Sequence, residues 1–187
     1  QNAERIAAQY ESHAATVAAD VLLLHAGHNY NADPAIADPA YMPEAEIVAA
    51  ATNAHARIIA AARAQNPNVV VLYAKVIPSS KLPKYSYIPR LNKAIASLGP
   101  ELASEDSPVI VVDMADGWDP ATDCVSDKVH PSAEGAAKMA VKWMVAFKSL
   151  VGAGKLKVDT VSYERLSDLE TIANNSTFID TGWTPFL

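Results

Sequence analysis

Three short apolar runs, set between helix-length segments, constrain this chain more than any other feature. They read DVLLLHAG at 20–27, VVVLYAKVIP at 69–78 and PVIVVDMA at 108–115. Each is too short for a typical helix and is apolar at successive positions, as a strand covered on both faces must be. AERIAAQYESHAATVA (3–18) precedes the first run, with Ile6, Tyr10 and Val17 along one helical face. EAEIVAAATNAHARIIAAARAQ (44–65) separates the first run from the second and is the strongest helical segment. A shorter helix over about 89–98 is predicted to stop before Gly99-Pro100, with ELASED adding a turn. A last helix runs from 133 to about 150, with Ser132 as its N-cap and Glu134 in its first turn. Buried strands alternating with helices call for a parallel sheet with helices on both sides, a three-layer α/β/α sandwich. Ligands in such sheets bind outside the carboxyl ends of the strands, so the segments after Leu24, Ile77 and Val112 are where chemistry is expected.

The 187 residues suit one domain with a real core. A main body over 1–154 and an extension over 155–187, packed on the same domain, are expected. A net charge of −6 without a basic stripe speaks against nucleic acid and anionic membrane as partners. No apolar run approaches the ~20 residues of a membrane span. No charged-then-apolar leader opens the sequence, so one was removed or never existed. The single cysteine, Cys124, excludes an internal disulfide and a cysteine-rich metal site. It is either a free thiol or a bridge to another chain. Asn174-Asn175-Ser176-Thr177 holds two overlapping glycosylation acceptor patterns, which points toward a secreted, extracellular protein.

The stretch SDKVHPSAEG (126–135) carries the sharpest chemical signal. Asp127 stands three residues before His130, and Pro131 fixes the exit from the loop. Imidazole can take and return a proton at neutral pH, and a neighbouring carboxylate fixes its tautomer and stabilises the imidazolium. The plain alternative is a loop Asp and a helix-flanking His without a role, because D-x-x-H is a loose pattern. The second signal is HAGHNYN (25–31) after the first strand. Gly27 permits a sharp turn or the close approach of substrate, and Asn29 offers an amide donor suited to an oxyanion. Its alternative is a turn whose Asn caps backbone groups. His25 reads as a satisfied interior histidine, and His28 stays open. A zinc site from His25, His28 and His130 matches no strong ligand spacing, so no metal is expected. Trp118, before Asp127, is a candidate sugar-stacking aromatic or equally a loop anchor. Tyr30 is the next candidate for substrate contact, and Trp143, in the last helix, reads as core.

Together these segments resemble the SGNH (GDSL-type) hydrolase superfamily, nearest to carbohydrate acetylesterases of the acetylxylan esterase type. LLLHAGHNY is similar to the family's strand ending in G-x-N-D, and DKVHPSAEGAAKMA to its D-x-x-H-P block before the last helix. The resemblance spans roughly residues 19–150. It implies the flavodoxin-like SGNH fold and ester hydrolysis through an acyl-enzyme, without metal or organic cofactor. It makes His130 the general base, Asp127 its orienting partner and Asn29 an oxyanion donor, with acylated carbohydrate or a small ester as substrate.

The departures are specific. The family's G-D-S motif, which bears the nucleophile on its first strand, occurs nowhere in this sequence. No glycine precedes Gly27, where the family places a second oxyanion donor, and Tyr30 stands where the family usually has Asp. A sheet of the three runs alone leaves the first strand with an open edge, a hazard that another polypeptide would remove. The expectation is therefore that residues 1–154 are the C-terminal portion of an SGNH domain. The serine would come from a missing or separate N-terminal portion, to which Cys124 could be bonded. Within the chain, Asp159 and Ser162 in LKVDTVSYE lack the strand and glycine turn a nucleophile needs, while Ser79 and Ser80 lie in a proline-rich loop bordering the substrate. The competing expectation is a serine-less domain of the same fold that binds a glycan or a protein and catalyses nothing.

Overall fold

The three apolar runs become three parallel strands. In the computed structural model, which describes residues 2–13, 18–36 and 41–156, these are β1 (Val21–Leu24), β2 (Val70–Ala74) and β3 (Val109–Val112). They pair in the order β1-β2-β3, with Val21 opposite Val70 and Val71 opposite Val109. β2 is buried along its whole length, as its VVLYA sequence requires. Alternate side chains supply two cores. Leu24, Val71, Tyr73 and Val109 join one with helices α1 (Ala3–His13), α2 (Glu44–Gln65) and α3 (Ile88–Leu102). Val70, Leu72, Ala74 and Val112 join the other with Met139, Trp143 and Leu150 of α4 (Ala133–Gly152). The result is the α/β three-layer arrangement expected from the sequence, with Trp143 in the core region. In the described sheet β1 is an edge strand, and its Leu23 is 52% exposed.

Local chemistry sets the ends of the elements. Ser132 caps α4 by accepting the Gly135 N–H at 3.1 Å. α2 occupies the span read from its periodicity, Glu44–Gln65. α3 overturns one expectation: it does not stop before Gly99-Pro100 but continues through them to Leu102. Gly99 is needed for packing rather than termination, because a Cβ there would lie 2.3 Å from Val111 Cγ2 on β3. The helix meets the sheet at its closest where no side chain intervenes. Pro100 lies inside the last turn, where its missing N–H leaves the Ala96 carbonyl without its intrahelical donor.

By its internal contacts the chain falls into a unit over Gln1–Leu156 and a second over Lys157–Leu187. The second unit lies outside the described residues. So do the expected helix at 162–173, the Asp159–Ser162 stretch and the glycosylation acceptor patterns. No helix among the described residues is long and apolar enough to cross a membrane.

Candidate active site

The loop ahead of α4 is a tight hairpin that presents His130. The N–H of Val125 donates to the His130 carbonyl at 2.9 Å, and that of Ser132 to the Asp123 carbonyl at 2.8 Å. Asp127 organises the tip. Its Oδ1 accepts the backbone N–H groups of Val129 at 2.8 Å and His130 at 2.9 Å, while Oδ2 lies 2.5 Å from His130 Nδ1. The carboxylate is acceptor-only, so Nδ1 carries the proton and Nε2 presents a lone pair. The imidazole bond, followed by the two backbone donors, holds the Asp127 carboxyl down at about 2, so it is ionised across the working range. The His130 side chain is 77% exposed, which leaves its Nε2 edge reachable.

His130 borders a cavity of 260 Å³. The segment that follows β1 also lines it, with His25, Gly27, His28 and Asn29, as does Ile77 from the segment after β2. Asn29 is held at φ 68°, a left-handed conformation that Asn tolerates better than most residues. Gly27 has φ 136° and donates space to α3: a Cβ there would lie 2.7 Å from Leu91 Cδ2 and 2.9 Å from Val76 Cγ2. Its carbonyl accepts the Tyr87 hydroxyl at 2.9 Å. Gly27 therefore fixes the wall by packing behind it as well as opening the turn in front.

The cavity floor is histidine-rich but uncharged. His28 Nε2 donates to the Ile77 carbonyl at 3.2 Å, and its ring meets that of His25 edge-on at 6.0 Å. Burial is the main cause that lowers both to about 4. The interior reading of His25 fits its burial, although its Nε2 has no hydrogen-bond partner among the described residues. No three metal-ligating side chains converge among the described residues, so His25, His28 and His130 do not form a ligand set.

The structure brings Gly27, Asn29 and His130 to one cavity with Asp127 behind the imidazole. It does not bring Tyr30 or Trp118 there. Tyr30 is 2% exposed, stacked edge-on to Tyr87 at 6.0 Å, and burial pushes its phenol up to about 12. The chain bends at the left-handed Asn29, and the next side chain lies in the core instead of the cavity lining. Trp118 packs against the α4 core, with its ring 2.8 Å from where a Gly135 Cβ would stand. Its loop-anchor role is the one realised. Cys124 is buried too, and desolvation raises its thiol pKa, so a bridge to another chain would require this hairpin to open. Sequence reasoning left Ser79 at the edge of the substrate loop. Its hydroxyl instead donates to the Lys128 carbonyl at 2.7 Å, a contact across 49 residues that no local pattern signals.

Two solved structures share this architecture. One is a carbohydrate esterase family 3 protein from Talaromyces cellulolyticus, with TM-score 0.67 and 21% identity over 82% of this chain and 69% of that one. The other is a serine-to-alanine mutant of an acetyl esterase with acetate ion, with TM-score 0.66 and 20% identity over the same shares. At these identities the likeness speaks for the fold. No match is found among curated protein sequences. The sequence pattern of the GDSL-like Lipase/Acylhydrolase family covers residues 2–138, taking in β1, the Asn29 turn and the Asp127–His130 hairpin. The chain belongs to the GDSL-like lipase/acylhydrolase family.

Proposed function

We propose that this chain supplies the base, its orienting acid and an oxyanion donor of a carboxylic ester hydrolase that deacetylates carbohydrate. The nucleophilic serine is contributed by an N-terminal portion separate from or additional to this sequence. His130 Nε2 takes the serine proton as the serine oxygen attacks the acyl carbonyl, and Asp127 stabilises the imidazolium that results. The Asn29 amide donates to the oxyanion of the tetrahedral intermediate. The imidazolium then protonates the departing sugar hydroxyl, and a water activated by the same ring releases the acid. Acetylated polymer is an extracellular substrate, so the reading places the protein outside the cell. It asks for no metal or organic cofactor.

The observation that carries the reading is the meeting of an Asp127-bound imidazole and the Gly27–Asn29 turn on one 260 Å³ cavity. The test is hydrolysis of p-nitrophenyl acetate by the assembled protein. His130→Ala removes general-base help worth about 10²–10⁴ in rate. Full activity in that variant would refute the assignment.

A second reading, a binding domain without catalysis, is favoured by one observation. Among the described residues the cavity lining holds no Ser, Thr or Cys. A serine-directed fluorophosphonate probe separates the two. Labelling of the assembled protein supports the hydrolase, whereas no labelling together with saturable glycan binding supports the binding domain.

A further inference from the structure

The peptide group between Lys128 and Val129 is gripped at both ends. Its oxygen accepts the Ser79 hydroxyl at 2.7 Å, and its N–H donates to Asp127 Oδ1 at 2.8 Å. Ser79 comes from the segment after β2, is only 9% exposed, and is itself aimed by the Lys81 N–H, which donates to its oxygen at 3.2 Å. Among the described residues Lys128 is one of two non-glycine residues at positive φ, at 62°. A side chain other than Asn, Asp or Gly in that conformation is disfavoured, so the peptide orientation needs outside support. A hydrogen bond to an amide oxygen also polarises the amide and strengthens its N–H as a donor. The bonds converge on Asp127: the Ser79 hydroxyl donates to the peptide oxygen, the peptide N–H donates to Asp127 Oδ1, and the Nδ1 proton of His130 donates to Asp127 Oδ2.

We infer that Ser79 is a positioning residue for the Asp127–His130 pair, acting through the Lys128–Val129 peptide. Without its hydroxyl the peptide is free to rotate out of the left-handed conformation. Asp127 then loses a backbone donor and its hold on the imidazole. The catalytic consequence rests on the hydrolase reading, but the structural claim does not, and the experiment keeps them apart.

The test follows the His130 Nδ1 proton by ¹H–¹⁵N NMR of histidine-labelled chain, comparing wild type with Ser79→Ala and Ser79→Thr. Loss of a net hydrogen bond of ordinary strength should speed exchange of that proton with water by about tenfold in Ser79→Ala. Ser79→Thr, which keeps the hydroxyl, should restore the slow exchange. Wild-type exchange in a folded Ser79→Ala overturns the inference. Should Ser79→Ala fail to fold, Ser79→Thr decides: a retained resonance supports the role and a lost one overturns it. In the assembled esterase, Ser79→Ala should lower kcat about tenfold with KM little changed. An NMR effect without any esterase activity in the wild type would sink the hydrolase reading and leave the positioning role standing.

Discussion

Acid should unfold this protein through the histidines beneath its cavity. His25, His28 and His55 are each held at about 4 instead of the ordinary 6.5, with burial the leading cause in every case. His55 is fully buried in α2, with Nδ1 2.7 Å from the Tyr73 hydroxyl. Since the native state keeps these rings neutral, protons bind preferentially to the unfolded chain. Their contribution is complete above pH 6.5, is lost as pH falls toward 4, and levels off below that. Asp127 does not interfere, because its depressed pKa matters only below the ordinary carboxylate value of 3.8.

Each proton taken up on unfolding contributes a slope of about 1.4 kcal/mol per pH unit, so three give about 4 kcal/mol per unit. Between pH 6.5 and 5 each ring accounts for about 1.6 kcal/mol, and together for about 5 kcal/mol. That is comparable with the whole net stability of a domain, typically about 5–15 kcal/mol. Urea unfolding followed by far-UV circular dichroism at pH 5.0, 5.5, 6.5 and 7.5 gives the slope directly. His55→Gln should reduce that slope by about a third, whatever it does to the absolute stability. A slope below about 1.4 kcal/mol per unit between pH 5 and 6 would mean less than one proton taken up, and would refute the neutral-floor argument.

Other perturbations test the cavity wall and the pair. Asp127→Asn should reduce ester hydrolysis less than His130→Ala, since the imidazole remains; equal losses of kcat/KM would count against their roles. Asn29→Ala should slow acyl transfer by about 10²–10³. It should also cost about 1 kcal/mol of stability, read by urea titration, because Ala is poorly suited to φ 68°. Gly27→Ala should destabilise by about 3 kcal/mol or more, combining a disfavoured φ of 136° with overlap on Leu91 and Val76. A melting temperature unchanged from wild type would show that the turn relaxes more easily than its packing implies.

Much of the fold was legible because its signals are local. Three apolar runs, the periodicity of α2 and the Ser132 cap each declare themselves within a few residues. Gly99-Pro100 misled because the same dipeptide that ends many helices is also what permits close packing on Val111. Tyr30 and Trp118 stayed open between two readings for a related reason. A large aromatic beside a site motif serves as well for core as for ligand contact, and only the chain direction after Asn29 and the depth of Gly135 decide between them. Ser79 was hidden by distance along the chain, and the low-pKa settings of His28 and His55 by the fact that burial is a property of the fold, whereas His25 was legible as interior from its place in the strand run.

The Asp127–His130 pair was readable for a physical reason that also explains how little the fold must do to build it. Within 127–130 one carboxylate accepts two backbone N–H groups and the imidazole, so the residues that need each other are already neighbours. The loop can adopt this arrangement only if Lys128 sits at positive φ, and that single demand is what the body meets with Ser79. Asn29 is the opposite case. Nothing beside it in sequence brings it to the cavity that His130 also lines; the end of β1 and the Gly27 backbone packed on Leu91 and Val76 place it there. Changes in the packing of α3 on the Gly27 turn should therefore move the Asn29 side of the cavity while leaving the Asp127–His130 bond intact. Ring-proton NMR of His130 in Leu91→Ala would detect any failure of that independence.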